Sequence, residues 1–317
     1  MKKDYLKQMN PYQPNQIEAD IVLSANESRN YLFKDGYLFN KDTSKYPEAN
    51  ADSLRQALAN KWKLEMNQFI IGNGSTELLE LIVKTYVDQE EVILSFDPSF
   101  SMYQIYANIY NAKYQTVPIE NDGTMDIDRM IDAANRWKPK LIFLCTPNNP
   151  TGSMVRREDI IKLLNQTEAL VVVDEAYMDF ASDKETMIQD INHFEQLMIA
   201  RTFSKAYGLA SFRLGYVVSN TSIINDLLSI KLPYNVNQSS IEIAKMALKQ
   251  PQKVQKFIQG MIEARDTFIE LLNHLPIEVF PSKGNFVFIK SKRNIYEILL
   301  KKSILIRAFE NDTYRIT

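Results

Sequence analysis

The sequence predicts an α/β protein: a mainly parallel sheet covered by helices, followed by a small α+β domain. Three observations carry this. Short continuous apolar runs alternate with stretches of helical spacing, the pattern of strands buried on both faces. Notable loops, rich in Gly, Pro, Asn or Asp, follow several of those runs directly. After about residue 220 the alternation gives way to longer helical stretches and late short strands.

In order, residues 1–20 read as an arm, because Pro11, Pro14 and their polar neighbours favour extended or turn structure. Ile21-Val22-Leu23 is a short apolar run. The segment 29–50 has no steady period and holds the turn Tyr46-Pro47-Glu48. Leu54, Ala57, Leu58 and Trp62 fall at helical spacing. Phe69-Ile70-Ile71 is a strand entering Gly72-Asn73-Gly74-Ser75-Thr76-Glu77, and a helix follows through Tyr86. Residues 91–96 form a strand, 97–100 a loop, and the aromatic stretch after it a helix. Tyr114 to Ile119 is a strand, Asn121-Asp122-Gly123 a turn, and Ile127 to Trp137 a helix. Leu141 to Cys145 is a buried strand ending in Thr146-Pro147-Asn148-Asn149-Pro150-Thr151-Gly152, before a helix from Arg157 to Leu164. Ala169 to Val173 is a buried strand ending in Asp174-Glu175-Ala176-Tyr177. Met198-Ile199-Ala200 leads to Ser204-Lys205, and Leu214 to Val218 is one more strand. Helical stretches cover 223–230, 241–249, 254–272 and 295–301, with strands at 277–280 and 285–289. The expected division is an N-terminal arm (1–30), a large domain (31–222) and a small domain (223–317).

Composition narrows the class. The chain has 317 residues, 45% hydrophobic and 24% charged, which is ordinary for a globular protein with a large core. A formal net charge of -2 argues against a nucleic-acid surface or an anionic membrane partner. One cysteine, Cys145, forbids an internal disulfide and suits a reducing, cytoplasmic setting. Two histidines far apart and that single Cys argue against a His/Cys metal site. No apolar run reaches membrane-spanning length, and the start Met1-Lys2-Lys3-Asp4 has no apolar core after it, as a signal peptide needs.

The strand ends carry the chemistry. In an open parallel sheet ligands bind beyond the carboxyl edge, so Asn149, Asp174 and Lys205 can converge there. Asp174 ends a very apolar strand, and a buried carboxylate needs a partner; a protonated pyridine nitrogen would serve. Asn149 and Tyr177 can hydrogen-bond a phenolate oxygen. The turn 72–77 ends at a helix start, whose free N–H groups suit a phosphate. It lacks the third glycine of a dinucleotide fingerprint and the Gly-Lys-Ser/Thr of a P-loop. Ser204 and Arg213 add a hydroxyl and a planar donor fork. Lys205 can form a Schiff base. Singly, each has a bland reading as turn, cap, core or surface charge. Together, on successive strands, they are what pyridoxal 5'-phosphate requires of a protein.

The chain resembles the fold-type I aminotransferases, within them the histidinol-phosphate group, from Tyr12 to its last residues. The motifs are residues 73–77, 147–152, 174–177, Ser204-Lys205 with Arg213, Pro233-Tyr234-Asn235-Val236-Asn237, and Tyr314-Arg315-Ile316-Thr317. The resemblance implies that Lys205 is the Schiff-base lysine, Asp174 the pyridine-nitrogen partner, and Asn149 and Tyr177 the groups at the ring hydroxyl. It puts Gly74, Ser75, Thr76, Ser204 and Arg213 at the phosphate. Phe100 falls where the family usually stacks a Tyr on the ring. Tyr46 resembles the residue reaching the neighbouring subunit's cofactor phosphate, which implies a homodimer. Arg315 resembles the arginine that grips a substrate carboxylate, and Tyr12 and Arg307 fall near the substrate's distal phosphate. Family members commonly have Ser-Asp-Glu where this chain has Ser75-Thr76-Glu77, and they continue past the position of Thr317 through a strand and a final helix.

The implied reaction is transamination between L-histidinol phosphate and 2-oxoglutarate, giving imidazole acetol phosphate and L-glutamate in histidine biosynthesis. An aromatic-amino-acid aminotransferase and a threonine-phosphate decarboxylase share most of these motifs. A non-catalytic, regulatory pyridoxal-phosphate-binding module is the alternative of another class. A full set of catalytic side chains, with no helix-turn-helix extension, argues against it.

Overall fold

The computed structural model describes residues 19–23, 32, 45–182 and 184–317. The elements run β1 (Ile21–Val22), α1 (Asp52–Trp62), β2 (Phe69–Asn73), α2 (Ser75–Tyr86), β3 (Val92–Asp97), α3 (Met102–Tyr110), β4 (Lys113–Pro118), α4 (Ile127–Trp137), β5 (Leu141–Cys145), α5 (Arg157–Gln166), β6 (Leu170–Asp174), β7 (Leu197–Thr202) and β8 (Leu214–Ser219). Then come α6 (Thr221–Ile230), α7 (Gln238–Leu248), α8 (Pro251–Leu272), β9 (Glu278–Phe280), β10 (Val287–Lys290), α9 (Ile295–Leu300), β11 (Ile304–Leu305), β12 (Arg307–Phe309) and β13 (Thr313–Ile316).

Seven strands form the large sheet in the order β2-β8-β7-β6-β5-β3-β4. All are parallel except β8, which runs antiparallel to both β2 and β7. The central strands β5 and β7 are buried along their whole length, which is why they read as unbroken apolar runs. One apolar cluster lies on each face. The first joins Ile142, Leu144, Val171, Val173 and Ile199 to helices α1, α4 and α5. The second joins Phe143, Val172, Met198 and Ala200 to α2, α3 and α6. Ile241, Ile243 and Ala244 of α7 also belong to the first cluster.

The smaller sheet is antiparallel, β12-β13-β10-β9, with its own cluster around Val287, Ile289, Ile306 and Tyr314. It is tied to the large sheet by two loops. Lys283 N–H donates to the Gly152 carbonyl at 2.8 Å, and an added Cβ on Gly152 would lie 2.8 Å from the Ser282 backbone. Gly152, at φ +79°, therefore permits both the turn and the close approach. No helix among the described residues is long and apolar enough to cross a membrane.

Strand direction then places the chemistry. β2, β5, β6 and β7 all end at one edge, and antiparallel β8 begins there. The turn after Asn73, Asn149, Asp174, Lys205 and Arg213 are delivered to a single rim by topology.

Candidate active site

The turn between β2 and α2 is built by a backbone only glycine favours. Gly74 sits at φ +81°, and an added Cβ would lie 2.6 Å from Arg213 Nη2. Glu77 holds the turn from behind, accepting hydrogen bonds from Asn73 N–H and from Asn235 Nδ2. Gly215 lets β8 press against the turn, since a Cβ there would come within 2.2 Å of Ser75 N. Ser75 and Thr76 thus open α2 beside the Arg213 guanidinium. Arg213, itself left-handed at φ 50°, is steadied by donation from Nη1 to the Ala210 carbonyl at 3.2 Å. Free helix N–H groups, a glycine cradle and a guanidinium make an anion site of phosphate size. Ser204 is buried nearby in sequence, after β7, its N–H held by Thr202 Oγ1 at 3.0 Å.

Asp174 is only 3% exposed. Its Oδ2 accepts from the Tyr103 hydroxyl at 2.9 Å and its Oδ1 from Ala176 N–H at 3.2 Å, both neutral donors. Burial pushes its carboxyl up to about 6, against the opposing pull of those two hydrogen bonds. Lys205 Nζ stands 5.5 Å over the Tyr177 ring, whose edge meets Phe286 of the small domain at 5.1 Å. Phe100 packs edge-on to Tyr103, centroids 5.6 Å apart.

The two neighbouring asparagines divide their work. Asn148, fully buried, donates from Nδ2 to the Pro98 carbonyl and Thr151 Oγ1 and accepts from Ser99 Oγ, locking the loop. Asn149 instead looks across to the small sheet, where its Oδ1 accepts from Arg315 Nη1 at 2.6 Å. Arg315 is buried in β13, its guanidinium 5.6 Å from the Phe286 centroid and 5.9 Å from that of Phe309. Arg307 pairs directly opposite Arg315 in the β12–β13 register, so both project on the same face. Its guanidinium lies 6.0 Å from the same Phe309 ring.

The structure therefore brings Gly74, Ser75, Thr76 and Arg213 together, Lys205 with Tyr177, and Asn149 with Arg315, with Arg307 opposite Arg315 in the register. Tyr46 stands apart from these contacts, 83% exposed and stacked on Tyr234 at 4.9 Å. Tyr12 lies outside the described residues. Two groups escaped the sequence reading. Tyr103 was legible only as part of an aromatic helix. Arg201 on β7 forms a buried ion pair, Nη1 to Glu175 Oε2 at 3.2 Å, directly behind Asp174. A charged residue inside an apolar strand, followed closely by Lys205, was the available signal.

The profile of the family described as aminotransferase class I and II matches residues 19–317. The histidinol-phosphate aminotransferase of Thermoanaerobacter sp. (strain X514) is 39% identical over 267 residues, 83% of this chain and 75% of that protein. The crystal structure of the Sinorhizobium meliloti histidinol-phosphate aminotransferase in complex with pyridoxal-5'-phosphate is similar in fold. It has a TM-score of 0.86 at 24% identity, with 95% of this chain and 86% of that one covered. The L-threonine-O-3-phosphate decarboxylase of Porphyromonas gingivalis aligns at TM-score 0.74 and 29% identity, with 86% and 87% covered.

Proposed function

From a chain that belongs to the class I and II aminotransferases, we infer a pyridoxal-phosphate-dependent transaminase that moves an amino group from L-histidinol phosphate to 2-oxoglutarate. The products are imidazole acetol phosphate and L-glutamate. The observation that carries the reading is the meeting, on one rim, of a glycine-lined anion cradle, a buried carboxylate with only neutral donors, and a lysine over an aromatic ring. These residues fit the cofactor. Gly74 lets the Arg213 guanidinium lie against the start of α2, where the two together suit a phosphate, and among the described residues Asp174 meets only neutral donors, so a protonated ring nitrogen would supply its cation.

When bound, pyridoxal phosphate supplies a carbonyl carbon for covalent attachment and a ring that withdraws electrons from the substrate Cα. Everything else is the work of this chain. Gly74, Ser75, Thr76, Ser204 and Arg213 hold the phosphate. Asp174 keeps the proton on the ring nitrogen, Asn149 and Tyr177 hold the ring oxygen, and Phe100 covers a ring face. Lys205 Nζ would anchor the cofactor, then take the proton from the donor's Cα and deliver it to the cofactor's carbonyl-derived carbon, so that the amino group stays behind. Arg315 binds the carboxylate of 2-oxoglutarate as a planar fork. Arg307, on the same face, adds a second positive charge suited to the phosphate of the amino donor, and the family resemblance assigns Tyr12 to that phosphate as well.

We also place the protein in the cytoplasm as a homodimer, with Tyr46 reaching the partner's cofactor phosphate. A large tyrosine ring stacked on Tyr234 yet 83% exposed supports that assignment, as does a sole, buried cysteine for the compartment.

The test is an absorbance titration of the pyridoxal-phosphate-loaded protein. L-histidinol phosphate should shift the visible band to the ultraviolet, and 2-oxoglutarate should restore it. Bleaching by phenylalanine alone refutes the donor assigned here. Release of carbon dioxide from threonine phosphate without a restorable band would point to the decarboxylase chemistry of the 29%-identical neighbour.

A further inference from the structure

Tyr103 is fully buried on α3, where its ring meets two others and its hydroxyl lies against Asp174 and the Cys145 thiol. Its ring stacks on Phe143, centroids 4.3 Å apart and planes 5° from parallel. The ring meets Phe100 at 90°. Its hydroxyl donates to Asp174 Oδ2 at 2.9 Å. A buried phenol stacked on one ring, crossed by a second and bonded through its hydroxyl has one orientation available. We propose that Tyr103 is a positioning residue that keeps Asp174 ionised and aimed at the cofactor's ring nitrogen, and so sets cofactor affinity. The proposal rests on the pyridoxal-phosphate reading above.

The surroundings of Asp174 leave this task to few groups. Its cross-strand neighbours are Cys145 on β5 and Ala200 on β7. Burial first, and the Asp174 charge next, push the Cys145 thiol up, so it stays neutral. Tyr106, also on α3, is pushed up by burial, then by Glu80 and Asp174, and stays neutral too. Lys205, beyond β7, stands over Tyr177. The charge on Asp174 is thus met by Ala176 N–H on Oδ1 and by Tyr103 on Oδ2. Both also orient the carboxylate, which leaves its remaining lone pairs for a ring N–H. Because Tyr103 touches Phe100 as well, it registers the carboxylate against the residue assigned to the ring face.

Removing the hydroxyl should make the carboxylate harder to ionise, and only an ionised Asp174 pairs with a protonated ring nitrogen. The experiment uses the full chain and Tyr103→Phe, which keeps both ring packings. The dissociation constant of pyridoxal phosphate is measured for each at about pH 5.5 and about pH 8. The expected result is a roughly tenfold weaker affinity of the variant at the lower pH, shrinking to within about twofold at the higher, as a rise of about one pH unit in the Asp174 titration gives. In an Asp174→Asn background, Tyr103→Phe should produce no pH-dependent loss. An equal loss at both pH values, or the same pH-dependent loss without the carboxylate, overturns the proposal and leaves Tyr103 a packing residue. A wild-type chain that takes up no pyridoxal phosphate at either pH overturns the functional reading, and this inference with it.

Discussion

Asp174 makes the cofactor-free protein less stable at neutral pH than in mild acid. Burial raises its carboxyl from the ordinary 3.8 to about 6. Because the folded value lies above the unfolded one, the folded chain keeps a proton across this window that the unfolded chain has lost. Stability from this group is therefore full below about pH 4 and falls as pH rises through about 6. At ~1.4 kcal/mol for each pH unit, the loss is about 3 kcal/mol. Asp174→Asn has no proton to lose, so it escapes that loss. Its amide must still meet two donors, the Tyr103 hydroxyl and Ala176 N–H, with one oxygen. That mismatch costs about 1–3 kcal/mol at every pH. The two effects separate by pH. Urea unfolding of both cofactor-free proteins at about pH 4 and about pH 7.5 should show the difference moving by about 3 kcal/mol towards the variant as pH rises. A difference that does not change with pH refutes the picture of a buried carboxylate awaiting a cation. Adding pyridoxal phosphate at the higher pH should reverse the order, since only the wild type gains the ion pair.

Lys205→Ala should lower turnover by about a thousandfold or more, the scale expected when a group that moves the reacting proton is lost, and near-normal steady-state rates would rule out its role. Arg315→Gln removes the donor that reaches Asn149. It should raise the KM for 2-oxoglutarate by about 10–100-fold, read from kinetics at saturating donor. Gly74→Ala forces a side chain into a left-handed site 2.6 Å from Arg213 Nη2. It should destabilise the fold by about 1–3 kcal/mol by urea unfolding and weaken binding of inorganic phosphate.

Much of this site could be read before any coordinates. β5, β6 and β7 are buried on both faces, so their apolar runs announce a parallel sheet, and the polar residues ending them mark the edge where the candidate site lies. Lys205, Asp174 and the 72–77 turn followed from that logic together with the family resemblance. What stayed hidden depends on contacts between elements. Helical spacing in 223–230 fixes a buried face but not the sheet it covers, and Ile223, Ile224 and Leu227 join the large sheet's cluster. Tyr103 could not be distinguished from Tyr106 or Tyr110 by spacing, because only the α3–β6 packing selects which hydroxyl meets Asp174. The opposition of Arg307 and Arg315 depends on hairpin register. That register is set by Asn311 and Asp312, both left-handed, residues that tolerate such a conformation better than most. Arg201 is masked in sequence by the apolar strand that carries it, since its charge is balanced by Glu175 and Asp179 from the segment after β6.

The single antiparallel strand has a consequence for how the chain matures as it leaves the ribosome. β2 is made early, yet among the described residues its one sheet neighbour is β8, with Asn73 pairing to Leu214. Until β8 is synthesised and docks between β2 and β7, an apolar strand waits with both edges unsatisfied. The two halves of the proposed phosphate grip, Gly74 and Arg213, are also apart until then. The nascent protein therefore cannot use its cofactor as an early template, and the delay leaves a sticky edge open to chaperones or to neighbouring chains. Slow translation before β8 has cleared the ribosome would lengthen that exposure; slow translation after that would not.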